Sequence, residues 1–258
     1  MRTNPAHTPS FRVAAAIALA AVALLAAPAS AQIIRVTEVM SSSGTGGTED
    51  WFELTNYGSS TVTGVNTWQY DDNSFSFANS VPLEGGVTSI APGESVVFFE
   101  LNTTLGAPTP AEQVTNFKAY WPTTAQVGYH QGAGLSSNGD GVVIFDSTGI
   151  EITPQTNFGS AVATVGQSFY YAYDPNGDFV LGSSSDGVVS TVGTIPGENG
   201  GISQVTIQSV TPVPAPFTVT NIGSPGTAAV VPEPSTVALA AAGLGIAGLA
   251  ARRRMRKA

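Results

Sequence analysis

Between residues 32 and 231 the chain never sustains a 3.6-residue apolar repeat, and no other feature constrains its fold as much. In place of helical stripes it offers short runs rich in Val, Ile, Thr and aromatic residues, at 33–40, 51–55, 67–70, 95–100, 142–146, 169–173, 205–210 and 217–222. Turn formers separate them: Asn56-Tyr57-Gly58, Ala91-Pro92-Gly93, Asn138-Gly139-Asp140-Gly141, Asp174-Pro175-Asn176-Gly177 and Ile195-Pro196-Gly197. Short strands so punctuated predict an all-β sandwich. One short helix is expected at 111–120, ended by Pro122. Within 51–55, Phe52 and Leu54 share one strand face, the face expected to be buried, while Trp51, Glu53 and Thr55 share the other.

Charge is distributed unevenly. Residues 32–231 hold 17 acids against Arg35 and Lys118, for a net −15, while both ends are basic. The absence of cysteine excludes a disulfide scaffold, thiolate zinc and a cysteine nucleophile. Nucleic-acid binding needs clustered Lys and Arg, which the body lacks, so no nucleic-acid partner is expected.

The ends read as addresses. Arg2 and Arg12 precede or border a 15-residue apolar run at 13–27, and Ala29-Ser30-Ala31 gives a small-x-small pattern before Gln32. This predicts a signal peptide over 1–31, cleaved between Ala31 and Gln32. At the other end, Val231-Pro232-Glu233-Pro234 precedes an apolar run at 237–251, which is followed by Arg252, Arg253, Arg254, Arg256 and Lys257. Fifteen apolar residues rise about 22 Å as a helix, a short transmembrane span. Gly243, Gly245 and Gly248 match G-x-G-x-x-G inside this run, but no preceding strand or later acid supports a dinucleotide site.

This tail resembles the PEP-CTERM sorting signal of Gram-negative bacteria, with box, short transmembrane helix and arginine cluster in order. The resemblance implies an exosortase-type processing enzyme, transient anchoring in the inner membrane, and then a cell-surface or extracellular location near polysaccharide. Val231, Pro232, Glu233, Pro234, Arg252, Arg253 and Arg254 are the implied sorting residues.

A second resemblance runs through the body. Ile34-Arg35-Val36-Thr37-Glu38-Val39 and then Glu49-Asp50-Trp51-Phe52-Glu53-Leu54-Thr55-Asn56 resemble the opening of a lamin-tail domain. Trp68 with Asp71, the turn at Ala91-Pro92-Gly93-Glu94, and the hairpin from Leu135 to Asp146 follow in that family's order. The resemblance implies an immunoglobulin-like β-sandwich at 32–200; with the apolar runs at the two ends, the expected chain is that sandwich flanked by an N-terminal signal helix and a C-terminal transmembrane helix. Residues 201–230 are then extra strands and linker, and 231–258 the sorting signal.

Candidate chemistry is sparse. His130, in Gly128-Tyr129-His130-Gln131-Gly132, reads as a loop residue, and no G-x-S-x-G elbow accompanies it. Glu38 and Glu53 can face each other on adjacent strands, as glycosidases require; the competing reading has one bonded to Arg35 or backbone and the other solvated. Asp174, Asn176 and Asp178 alternate like the start of a calcium loop, but Phe179 stands where that loop needs glycine. A hairpin turn is the simpler reading, and no cofactor is otherwise implied. Trp68, Tyr70, Tyr129, Tyr171 and Tyr173 are available to stack on sugars if exposed, and core positions otherwise. These residues predict no catalytic set: a non-enzymatic, structural or adhesive exported protein leads. A carbohydrate- or calcium-dependent binding module is the alternative, and a secreted hydrolase a distant one.

Overall fold

In β1 (Ile34–Met40) and β2 (Trp51–Asn56), alternation gives way to burial on both faces, and everything that shapes the site follows from that. The computed structural model describes residues 32–41, 49–132, 134–174, 176–181, 187–190, 203–206 and 220–228. The chain divides into residues 1–31 and residues 32–258.

After β2 come β3 (Val62–Thr63), β4 (Gln69–Asp71), β5 (Val81–Pro82), β6 (Ser89–Ile90) and β7 (Ser95–Glu100). Helix α1 (Pro110–Tyr120) leads to β8 (Gln126–His130), β9 (Asp140–Phe145) and β10 (Thr156–Phe158). Then follow β11 (Phe169–Tyr170), β12 (Ala172–Tyr173), β13 (Phe179–Leu181), β14 (Val188–Val189), β15 (Ser203–Thr206) and β16 (Thr220–Gly223). A six-stranded sheet has the order β14-β11-β1-β2-β7-β8 and a four-stranded sheet β10-β9-β4-β5; β12-β13, β15-β16 and β3-β6 pair separately.

The larger core lies between the two main sheets. Ile34, Val36, Val39, Phe52, Leu54, Val96 and Phe98 meet Tyr70, Val142, Ile144 and Phe158 there. Apolar burial at ~25 cal/mol per Å² is its main support, since the chain has no disulfide.

On its opposite face, the six-stranded sheet carries a second cluster. Met40, Trp51, Val97, Phe99 and Val127 pack under Phe117 and Trp121, which α1 and its C-cap supply. A capping box starts the helix: the Thr109 hydroxyl accepts from Glu112 N, and the Glu112 carboxylate accepts from Thr109 N. α1 is also the crossover that lets β8 run parallel to β7, a pairing no tight turn can make.

These findings correct the expected fold. The chain was expected to be an all-β, immunoglobulin-like sandwich flanked by two apolar helices. The described residues instead form open, mostly antiparallel sheets with one interior helix, and a parallel strand at one edge. The face of β2 bearing Trp51, Glu53 and Thr55 is fully covered as well, because α1 and the segment after β16 lie over it. No helix among the described residues is long and apolar enough to cross a membrane. The signal helix and transmembrane helix are therefore not supported, and residues 1–31 and 231–258 lie outside the described residues.

Candidate functional site

The covered face of the six-stranded sheet has a polar half, and a bulge in β1 creates it. Val36 pairs with Leu54, but Glu38 pairs with Glu53, so Thr37 is the extra residue. A bulge re-aims side chains, and here Val36 and Val39 both enter the main core while Thr37 and Glu38 both join the polar group. Glu38 is 1% and Glu53 0% exposed.

Each carboxylate is gripped from the far end of the chain. Glu38 accepts bonds from the Ser168 hydroxyl, from Ser224 N at 2.9 and 3.0 Å, and from the Ser224 hydroxyl at 3.0 Å. Ser168 in turn shares a 2.6 Å bond with the Ser190 hydroxyl. Glu53 accepts from the Thr37 hydroxyl at 2.5 Å, from Gly226 N at 2.5 Å and from Thr227 N at 3.1 Å. Thr37, Thr55 and Ser95 extend the network at 2.8 and 2.7 Å. Asn221 Nδ2 donates to Tyr120 Oη of α1 at 2.9 Å, tying the same segment to the helix.

Burial raises both carboxyls above their ordinary range, and the facing Glu53 adds repulsion at Glu38. Arg35 does not relieve them. Its Nε donates to Gly177 O at 2.6 Å and its guanidinium lies 5.9 Å from the centre of the Tyr173 ring. The expectation that one carboxylate bonds Arg35 or backbone and the other is solvated is corrected in its second half: neither is solvated, and both bond backbone amides of the C-terminal segment.

As a glycosidase pair the arrangement fails chemically. Hydrolysis needs carboxyls open to substrate and water, whereas backbone amides and hydroxyls occupy these. The groups that sequence reasoning missed are the donors Ser168, Ser190, Ser224, Gly226 and Thr227. Their one signal was the Ser224-Pro225-Gly226 turn, beyond the last strand-like run.

His130 is on β8, not in a loop, and is 0% exposed. Its ring lies 4.5 Å from that of Tyr70 and 5.7 Å from that of Phe52, and neither ring nitrogen has a hydrogen-bond partner. Burial pushes it down to about 3, so it is neutral at physiological pH and out of reach of substrate.

Asp174, Asn176 and Asp178 form a hydrogen-bonded turn between β12 and β13. Asp174 Oδ1 accepts from Asn176 N and Asp178 N at 2.8 and 3.0 Å, and Asn176 Nδ2 donates to Asp174 Oδ2 at 3.1 Å. These bonds hold the exposed Asp174 carboxyl below its usual range. Arg35 lies against the same turn. Among the described residues no group of three or more His, Cys, Asp or Glu side chains is placed to hold a metal.

Trp68, Tyr70, Tyr171 and Tyr173 are core residues, 4% exposed or less, and Tyr129 is half-buried. The four core rings offer sugars no stacking platform. A cavity of about 190 Å³ between α1 and β7 is lined by Phe99, Asn102, Gln113 and Phe117 among others. The Gln113 amide is consumed there by Asn102 N, Asn102 O and Pro108 O. Of the expected cleavage and sorting residues, Gln32 is described and exposed. Ala29, Ala31, Val231, Pro232, Glu233, Pro234, Arg252, Arg253 and Arg254 lie outside the described residues.

Residues 27–159, just over half of the chain, match the Lamin Tail Domain family. Residues 230–254 match the PEP-CTERM protein-sorting motif. No curated protein matches the chain. The lamin tail domain is a structural, non-catalytic module, and the sorting motif implicates an exosortase-type partner enzyme. An exported, cell-surface location fits that system. The expected anchoring in the inner membrane is corrected, since no described helix crosses a membrane. With strands, turns and tail agreeing, the chain belongs to the lamin tail domain family and is an exported protein bearing a PEP-CTERM sorting motif.

Proposed function

We propose that this protein is a structural or adhesive component of a polysaccharide-rich cell surface, in which the β body is displayed and the tail beyond Val231 is removed. One observation carries the reading: two buried acids of the body, Glu38 and Glu53, are spent on holding Ser224, Gly226 and Thr227, just before the sorting box. Carboxyls whose acceptor positions are filled by the chain's own amides and hydroxyls are not open to substrate and water, as glycoside hydrolysis requires. Polysaccharide is the proposed neighbour. The net −15 of the body favours neutral or cation-bridged glycans over anionic ones held directly.

Intact-mass and C-terminal peptide analysis of surface fractions tests the tail. The expected result is no peptide containing residues 252–257, with a terminus near 231–234. Recovery of the basic tail on most of the surface protein would overturn the proposal. Co-sedimentation with native extracellular polysaccharide, with and without calcium, tests the neighbour, and no retention in either condition removes it.

A further inference from the structure

Asn102-Thr103-Thr104 is the only Asn-x-Ser/Thr triplet in the chain. Glu100 stands two positions before the asparagine, where the bacterial form of this acceptor motif carries an acid. Such a triplet can accept a glycan only in a surface loop of an exported protein. Here it lies in the loop between β7 and α1. Thr103, Thr104 and Leu105 are exposed there, and Leu105 stands wholly clear of the body.

The half-buried asparagine is held in place at the foot of that loop. Asn102 N donates to Gln113 Oε1 at 3.0 Å, and Gln113 Nε2 donates to Asn102 O at 2.9 Å. Its side chain closes an Asx turn, Oδ1 accepting from Thr104 N at 3.0 Å and from the Thr104 hydroxyl at 2.7 Å. Nδ2 donates to Glu49 Oε1 at 3.2 Å. An amide nitrogen carries two hydrogens, so one is left to exchange for a sugar while the other keeps Glu49. Asn102 also lines the cavity of about 190 Å³ between α1 and β7, with the buried rings of Phe99 and Phe117 and the polar side chains of Glu49 and Asn116. Apolar rings beside polar groups suit the mixed surface of a pyranose ring. The volume is below the ~300 Å³ of a site for a drug-sized ligand, so it takes one ring and no chain.

We propose that Asn102 is an N-glycosylation site, carrying an oligosaccharide whose first sugar sits in the cavity between α1 and β7. The donor is a lipid-diphosphate-linked oligosaccharide, and the catalyst an oligosaccharyltransferase acting outside the cytoplasm. Transfer forms a bond from Nδ2 to C1 of the first sugar and breaks that carbon's bond to phosphate. One amide proton and the lipid diphosphate leave, and nothing is oxidised or reduced. A sugar so tethered needs little affinity of its own, since the linkage supplies a high effective concentration. The inference rests on the reading that the chain is exported, which brings the loop to the donor.

The test uses the full chain purified from surface fractions of its own host, with peptides covering residues 100–108 analysed by mass spectrometry. The expected mass is that of the peptide plus an oligosaccharide, with fragments placing the addition on Asn102. Asn102→Gln should lose the addition. Thr104→Val removes only the hydroxyl and should lose it too, while Thr104→Ser should keep it; Thr104 is exposed, so misfolding does not explain such a pattern. Modified wild type should melt about 2–4 °C above unmodified Thr104→Val, the shift of one modest contact in a chain of this length. Asn116→Trp fills the mouth of the cavity, and in that background the difference should close while the addition stays. A difference that persists would overturn the seating of the sugar. Unmodified Asn102 on most of the surface protein, or an addition that persists in Asn102→Gln, would overturn the inference as a whole. A chain recovered unmodified and only from the cytoplasm would instead overturn the export reading, and the inference with it.

Discussion

Glu38 and Glu53 bind more protons in the folded chain than in the unfolded one, because burial raises both carboxyls above the ordinary value of 4.5. Stability from such groups is complete below that ordinary value and is lost as pH rises through the elevated folded value. Asp50 acts in the same direction, pushed up to about 8 by burial and by Glu100. His130 has the opposite sign. Its folded value is lowered from 6.5, so it costs stability as pH falls below 6.5 and nothing above. Melting curves between about pH 6.5 and about pH 9 therefore isolate the carboxyls. The melting temperature should fall with rising pH, and Glu38→Gln should flatten that fall; a profile unchanged by Glu38→Gln would refute the assignment. On the acid side, His130→Leu removes an unpartnered polar ring from an apolar slot. It should raise stability by about 1 kcal/mol and lessen the loss below pH 6.5, with no change in any hydrolytic assay.

At the scale of elements, α1 decides how much of the sheet is core. Thr109→Ala should cost about 1 kcal/mol by opening the capping box, and Trp121→Ala about 3–5 kcal/mol by emptying the second cluster. Chemical denaturation measures both, and a cost for Trp121→Ala below that of the cap would show the helix side to be loosely packed. The turn bearing Asp174 and Asp178 should respond to millimolar calcium no more than to sodium chloride of equal ionic strength, since Arg35 already lies against it. A calcium-specific rise in melting temperature, lost in Asp174→Asn, would make it a metal loop. Much of this layer was legible in sequence. β7 spans the run expected at 95–100, and α1 begins one residue before its expected start, at Pro110. Local propensity and turn chemistry carry such signals. The bulge at Thr37 was not legible, because one extra residue leaves no mark on composition yet decides which face Glu38 occupies. His130 was misread for a similar reason. Gly128 and Gly132 suggested a loop, but Gly128 is needed in a strand because a Cβ there would collide with Glu84 O and the Phe98 ring.

For the whole molecule, the matched family segment ends at 159, yet Phe169, Tyr171 and Tyr173 belong to the main core and residues 220–227 close the polar face. A chain of residues 32–228 should unfold in one cooperative transition. Ending it at 219 strips the amides from Glu38 and Glu53 and should lower the melting temperature sharply or abolish the transition. Equal melting temperatures for the two lengths would show the last segment to be peripheral. Glu38 pairs with a residue 186 positions later, which carries a consequence for timing. A chain synthesised from its N-terminus presents β1 to solvent long before Ser224 arrives. During that interval Glu38 is ionised and hydrated, and its charge opposes aggregation of a strand whose other residues are mostly apolar. Folding is finished by the last stretch to emerge, so the first strand to appear waits for the last and the body becomes rigid only when the chain is nearly complete.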